Sequence, residues 1–137
     1  MQAAKTQTEK DKKRIILIID DDDGILLMFE RKFKKEGFEV YAEEDGLKGL
    51  TRATEKKPDV ILLDIMMPGI DGLETLKAFK KCTDLNSKII IFSNMSENSA
   101  SIQEALDLGA DECLLKANYT PGEIVKHIKD NVIPNLN

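Results

Sequence analysis

Three runs in this chain, Ile15–Ile19, Val60–Leu63 and Ile89–Phe92, contain no polar residue at all. Short, largely β-branched runs without alternation predict strands covered on both faces, the condition of a parallel sheet held between helices. Each run stops abruptly at a polar side chain: Asp20, Asp64 and Ser93. Asp64 is followed by a loop that Pro68, Gly69 and Gly72 would shape. In open α/β sheets the carboxyl ends of the strands are where ligands bind. A carboxylate there is a nucleophile, a metal ligand, both, or merely the cap of a turn.

Helical patterns separate the runs. Ile25, Leu26, Met28, Phe29 and Phe33 recur at helical spacing after a cap at Asp22 or Asp23, and Lys34, Lys35 and Gly37 close that helix. A strand is expected over Phe38–Ala42, with Glu43, Glu44 and Asp45 as a solvated turn. Leu47, Leu50 and Ala53 mark the inward face of a second helix stopping before Pro58, and a strand follows over Asp59–Leu63. Leu73, Leu76, Ala78 and Phe79 mark a third helix ending near Cys82, and the next strand spans Lys88–Phe92. Ile102, Ala105, Leu106 and Leu108 form a fourth helix closed by Gly109; a strand over Glu112–Leu115 ends at Lys116. Pro121 opens the fifth helix, with Ile124, Val125 and Ile128 inward, and Pro134 ends it. Five strand–helix alternations imply a parallel sheet with right-handed crossovers and helices on both faces.

The 137 residues suit one domain, expected over 14–137 behind a flexible polar tail over 1–13. A net charge of -5, with Lys and Arg scattered among acids, argues against a nucleic-acid surface and offers no polybasic membrane patch. No apolar run approaches the roughly 20 residues of a membrane span, and the charged N-terminus is not a signal peptide. Cys82 and Cys113 lack metal-ligand spacing, so a reducing, cytoplasmic setting is expected.

In a parallel sheet, Asp20, Asp21, Asp64, Ser93 and Lys116 all fall on one edge. Converging carboxylates are unfavourable without a cation, and an acidic, all-oxygen site without His or Cys suits Mg²⁺. Lys116 supplies a positive charge for a phosphoryl oxygen and Ser93 a hydroxyl donor, leaving Asp64 to attack phosphorus. Asp22 and Asp23 read as helix caps, Met67 as a loop-covering apolar group, and His127 as a packing or surface residue.

The segments Ile18–Asp22, Leu63–Gly72, Ile91–Ser93 and Gly109–Lys116, in this order and at these strand ends, resemble the receiver domain of two-component response regulators. The resemblance spans about residues 14 to 133. It implies an α/β, flavodoxin-like, doubly wound sheet of five parallel strands in the order 2-1-3-4-5 with five helices. By the same resemblance Asp64 is similar to the phosphoacceptor, Asp21 to the direct metal-binding acid and Asp20 to its water-mediated partner. The Met66 carbonyl is similar to a third metal ligand, Ser93 to the switch hydroxyl and Lys116 to the phosphoryl-binding lysine. The implied cofactor is Mg²⁺. The implied partners are a histidine kinase or phosphotransfer protein and a downstream protein, reached by a stand-alone, chemotaxis-regulator-like monomer or weak dimer.

Two positions depart from the family pattern. Ala117 stands where a proline usually follows the lysine, and Cys113 replaces the switch aromatic. These departures sustain the alternative of a pseudo-receiver that binds partners without phosphorylation. An aspartyl-phosphate phosphotransferase enzyme is disfavoured, because Met66 stands where such hydrolases carry a second acid. By the same resemblance, Met66 and Met95 stand at the positions that flank the path of a hydrolytic water, which implies slow self-dephosphorylation.

Overall fold

The computed structural model describes residues 13–67, 71–82, 84–94 and 100–136. The tail expected over residues 1–13 therefore lies outside the described residues, apart from an exposed Lys13. Strands β1 (Ile15–Ile19), β2 (Glu39–Glu43), β3 (Val60–Leu63), β4 (Lys88–Ser93) and β5 (Glu112–Leu115) alternate with five helices. These are α1 (Asp23–Lys35), α2 (Gly46–Lys56), α3 (Gly72–Lys81), α4 (Ala100–Asp107) and α5 (Pro121–His127). All strand pairs are parallel, and the order is β2-β1-β3-β4-β5. The apolar runs occupy the three central strands, where helices cover both faces.

The period of two along each strand divides the core into two layers. Ile16, Ile18, Leu62, Ile90 and Phe92 face α1 and α5, where Phe29, Phe33, Ile124, Val125 and Ile128 meet them. Leu17, Ile19, Ile61, Leu63 and Ile91 face the other way, against Ala53 of α2, Leu76 and Phe79 of α3 and Ala105 of α4. Phe33 and Phe79 are among the largest fully buried side chains, one in each layer. Truncating either to Ala would cost about 3–5 kcal/mol.

Local signals fix the ends. Asp22 caps α1 by accepting from the amides of Gly24 and Ile25, and Asp45 caps α2 by accepting from Lys48. At α5, Thr120 and Glu123 form a reciprocal capping box, with Pro121 in the first turn. Cys82 is the residue that ends α3, as its position in the sequence suggests.

Several expectations need correction. Leu47 is 62% exposed, so it does not lie on an inward face. α2 instead presents Gly46, Gly49 and Ala53 to the sheet, and a side chain at 49 would collide with Ile19. Glu43 belongs to β2 rather than to a solvated turn; its carboxylate accepts from Arg52 Nε at 2.9 Å. Pro134 does not end the helical path, which continues from α5 through a π turn at Ile128–Val132 into a 3-10 turn at Ile133–Asn135. Proline is tolerated there because the early positions of a helical turn have no amide bond to lose. Among the described residues, no helix is long and apolar enough to cross a membrane.

Candidate functional site

The register brings the strand ends together. Ile19 pairs with Leu63, Leu63 with Ile91, and Ser93 with Leu115, so the residues that follow project from one edge. Asp20 and Asp64 are buried, at 3% and 5% exposure, and Ser93 at 1%; Asp21 beside them is exposed. The Asp64 amide donates to the Ile19 carbonyl at 3.0 Å, which ties the second acid to the end of the first strand. Gly72 opens α3 directly against this strand end. A Cβ there would overlap the Ile65 Cα and the Asp64 carbonyl oxygen.

The two oxygens of Asp64 are held differently. Oδ1 accepts from Ser93 Oγ at 2.7 Å and from the Met66 amide at 3.0 Å. Oδ2 faces Lys116 Nζ at 3.3 Å, a long contact. The same ammonium donates to Asp20 Oδ2 at 2.5 Å, while Asp20 Oδ1 accepts from the Asp22 amide at 2.9 Å. One lysine thus serves two buried carboxylates, and a third acid stands beside them.

Burial pushes the Asp20 carboxyl above the usual carboxylate range, and the neighbouring Asp64 charge adds to the rise. The Lys116 hydrogen bond, the Asp22 amide and the Lys116 charge pull it down without cancelling the effect. For Lys116 burial acts downward, but the Asp20 hydrogen bond and the Asp64 and Asp20 charges outweigh it and hold the ammonium above its ordinary range. The rise at Asp20 is chiefly the cost of burying its charge, which the shared Lys116 ammonium does not offset. Lys116 is a firm cation beside it.

The donor set fits a hard divalent cation. One oxygen each from Asp20, Asp21 and Asp64 can be chosen so that all three lie within 4.8 Å of one another. All are carboxylate oxygens, and Asp21 is exposed at the rim of the cluster. Oxygen donors with surplus negative charge suit Mg²⁺ rather than a soft metal.

The model of the response regulator receiver domain matches residues 16–129. The chain belongs to that family. It is similar to sporulation initiation phosphotransferase F of Bacillus subtilis (strain 168), 41% identical over 87 residues spanning 64% of this chain and 68% of the relative. Among solved structures, the receiver resembles chemotaxis protein CheY4 of Vibrio cholerae, with a TM-score of 0.79 and 26% identity over 86% of this chain and 98% of the other. It also resembles the receiver domain of the putative response regulator NarL from Mycobacterium tuberculosis, with a TM-score of 0.76 and 31% identity over 87% and 95%.

Of the residues singled out from the sequence, Asp20, Asp64, Ser93 and Lys116 form one hydrogen-bonded cluster, with Asp21 at its rim. Asp22 caps α1, and Met67 is buried in the core layer of α2, α3 and α4. The Met66 side chain is 61% exposed, whereas its amide serves Asp64, a backbone role that side-chain reading cannot detect. Pro68, Gly69 and Met95 lie outside the described residues. Cys113 packs in the same layer as Met67, and Lys116–Asn118 forms a 3-10 turn that leads through Ala117 to Tyr119. His127 is a half-buried packing residue whose Nε2 lies 2.7 Å from Glu112 Oε1.

Proposed function

We propose that this receiver is a Mg²⁺-dependent phosphoryl-accepting switch of a two-component phosphorelay, phosphorylated on Asp64 by a histidine kinase or a histidine phosphotransfer protein. The observation that carries this reading is the asymmetry of Asp64. Oδ1 is fixed by the Ser93 hydroxyl and the Met66 amide, while Oδ2 has only the long contact to Lys116 among the described residues. Oδ2 is therefore the nucleophile, held in orientation by its sister oxygen.

An Oδ2 electron pair attacks phosphorus in line with the P–N bond of the donor phosphohistidine. The P–O bond forms as the P–N bond breaks, and its electron pair leaves with the imidazole, which takes up a proton. Lys116 moves onto one phosphoryl oxygen and the Ser93 hydroxyl donates to another. Asp20, Asp21, Asp64 and the backbone carbonyl of Met66 would hold Mg²⁺, which when bound neutralises charge on the phosphoryl oxygens.

The chain promotes its own phosphorylation and slow dephosphorylation rather than multiple turnover of a substrate. Met66, a thioether where a hydrolase of this type would need an acid, supports that distinction. Signal output is contact with a downstream protein or onward phosphoryl transfer by a monomer or weak dimer. The free thiols of Cys82 and Cys113 support a cytoplasmic setting.

Intact mass after incubation with acetyl phosphate and Mg²⁺ tests the reading. Wild type should gain one phosphoryl mass and Asp64→Ala none. Equal labelling of the two proteins would sink the assignment.

A further inference from the structure

Among the described residues, two side chains bear on the carboxylate oxygens of Asp64, Ser93 at the end of β4 and Lys116 just after β5. Each is joined by a short stretch of backbone to an aromatic ring. Ser93 follows Phe92, which is buried in the layer of α1 and α5. Lys116 begins a 3-10 turn, and its carbonyl accepts the Tyr119 amide at 3.3 Å.

The two rings meet. Tyr119 packs edge-on against Phe92, with centroids 6.4 Å apart at 66°. Phe92 is braced from behind by Phe29 of α1, edge-on at 5.6 Å. Beyond Tyr119, at 6.0 Å, lies the ring of His127, the chain's only histidine. Its Nε2 lies 2.7 Å from Glu112 Oε1 and its Nδ1 3.2 Å from Asn131 Nδ2. A neutral ring with its proton on Nε2 satisfies both, donating to Glu112 and accepting from the amide. Asn131 sits in the π turn that replaces regular helix after α5.

Cys113 is placed elsewhere. It packs in the opposite layer, with its Sγ 3.8 Å from the Ile102 carbonyl of α4. The sheet lies between it and the ring series.

We infer that Tyr119 is a positioning residue that couples occupancy of Asp64 to the end of α5. This rests on Asp64 being the phosphoacceptor. A phosphoryl group on Oδ2 draws the Lys116 ammonium away from Asp20 and the Ser93 hydroxyl away from Oδ1. One displacement reaches Tyr119 through the 3-10 turn, and the other reaches Phe92 along β4. Both converge on a single ring contact. Phe92 is braced and Tyr119 is only part-buried, so Tyr119 moves, and His127 with it.

The full chain has one histidine and two tyrosines, so their ring signals are separable by NMR. His127→Gln and Tyr41→Phe assign them. With acetyl phosphate and Mg²⁺, and labelling followed by intact mass, the His127 Hε1 resonance should shift in step with the phosphoryl mass. Tyr119→Leu should still label and lose most of that shift, Tyr119→Phe should restore it, and Cys113→Ala should keep it. A labelled wild type with an unmoved His127, or a full shift in Tyr119→Leu, overturns the coupling and leaves the phosphoacceptor reading intact. Failure of Tyr119→Phe to restore the shift, or its loss in Cys113→Ala, also overturns it. Absence of labelling in the wild type overturns both.

Discussion

The two edges of the sheet use the same residue to opposite ends. At the amino edge, Asp59 Oδ2 accepts the Ile15 amide of β1 and Asp111 Oδ2 accepts the Ile89 amide of β4, each at 2.8 Å. Their backbone amides return the bond, to the carbonyls of Ile15 and Ile89. Arg14 approaches Asp59 at 3.5 Å and Lys88 approaches Asp111 at 3.9 Å, so each acid has its own cation. At the carboxyl edge, Asp20 and Asp64 are more deeply buried and share Lys116. The amino-edge acids tie strands together and are electrically settled. The carboxyl-edge acids share one cation between them, and on the proposed reading that is the place where a divalent cation and a phosphoryl group would bind.

The largest contrast should be in metal binding. Asp21→Ala is expected to weaken Mg²⁺ binding on the order of tenfold or more, a change of about 1.4 kcal/mol. Asp23→Ala in α1 and Asp111→Ala at the other edge should leave it nearly unchanged. Calorimetric titration giving equal losses in all three would erase the distinction between the edges.

A second effect concerns the lifetime of the phosphorylated state. The exposed Met66 thioether neither takes a proton nor orients water well. Phosphoryl mass should therefore decay slowly after donor removal, and Met66→Asn should speed the decay several-fold. An unchanged decay rate in the variant would show that this side chain does not govern water access.

Stability should move in opposite directions at the two edges. Asp111→Ala orphans the Ile89 amide and is expected to cost about 1 kcal/mol in urea unfolding. Asp64→Asn removes one of two like charges around Lys116 while retaining an acceptor for Ser93, and without divalent cation should be neutral or stabilising by about 1 kcal/mol. Destabilisation of both to the same degree would mean that the carboxyl edge is as settled as the other.

The smallest effect lies off both edges. Burial pushes the Cys113 thiol above its ordinary range, so its thiolate fraction at pH 8 is reduced. Its reaction with a disulfide reagent should be slower than that of a free cysteine and should quicken as pH rises. A rate equal to that of free cysteine at pH 8 would show the thiol to be open to solvent.

The three central strands were legible because unbroken apolar runs have few other uses, and all five strands fall within a residue of their expected limits, with β5 spanning Glu112–Leu115 as read. The cluster was legible because Asp20, Asp64 and Ser93 are where those runs stop and Lys116 is where β5 stops. Helix faces were harder. Counting apolar residues placed Leu47 inward, whereas α2 docks through glycine and alanine, whose contribution is close approach rather than hydrophobicity. The strand-tying role of Asp59 and Asp111 could not be read locally. Each caps the neighbour of the strand it precedes, which is known only once the strand order is known.

Gly72 carries a consequence for substitution libraries of this protein. It bears no functional group, yet its missing side chain leaves the space occupied by the backbone of Asp64 and Ile65. In a selection for signalling, position 72 should be as intolerant as the acids themselves, because one added carbon there would displace the backbone that carries Asp64.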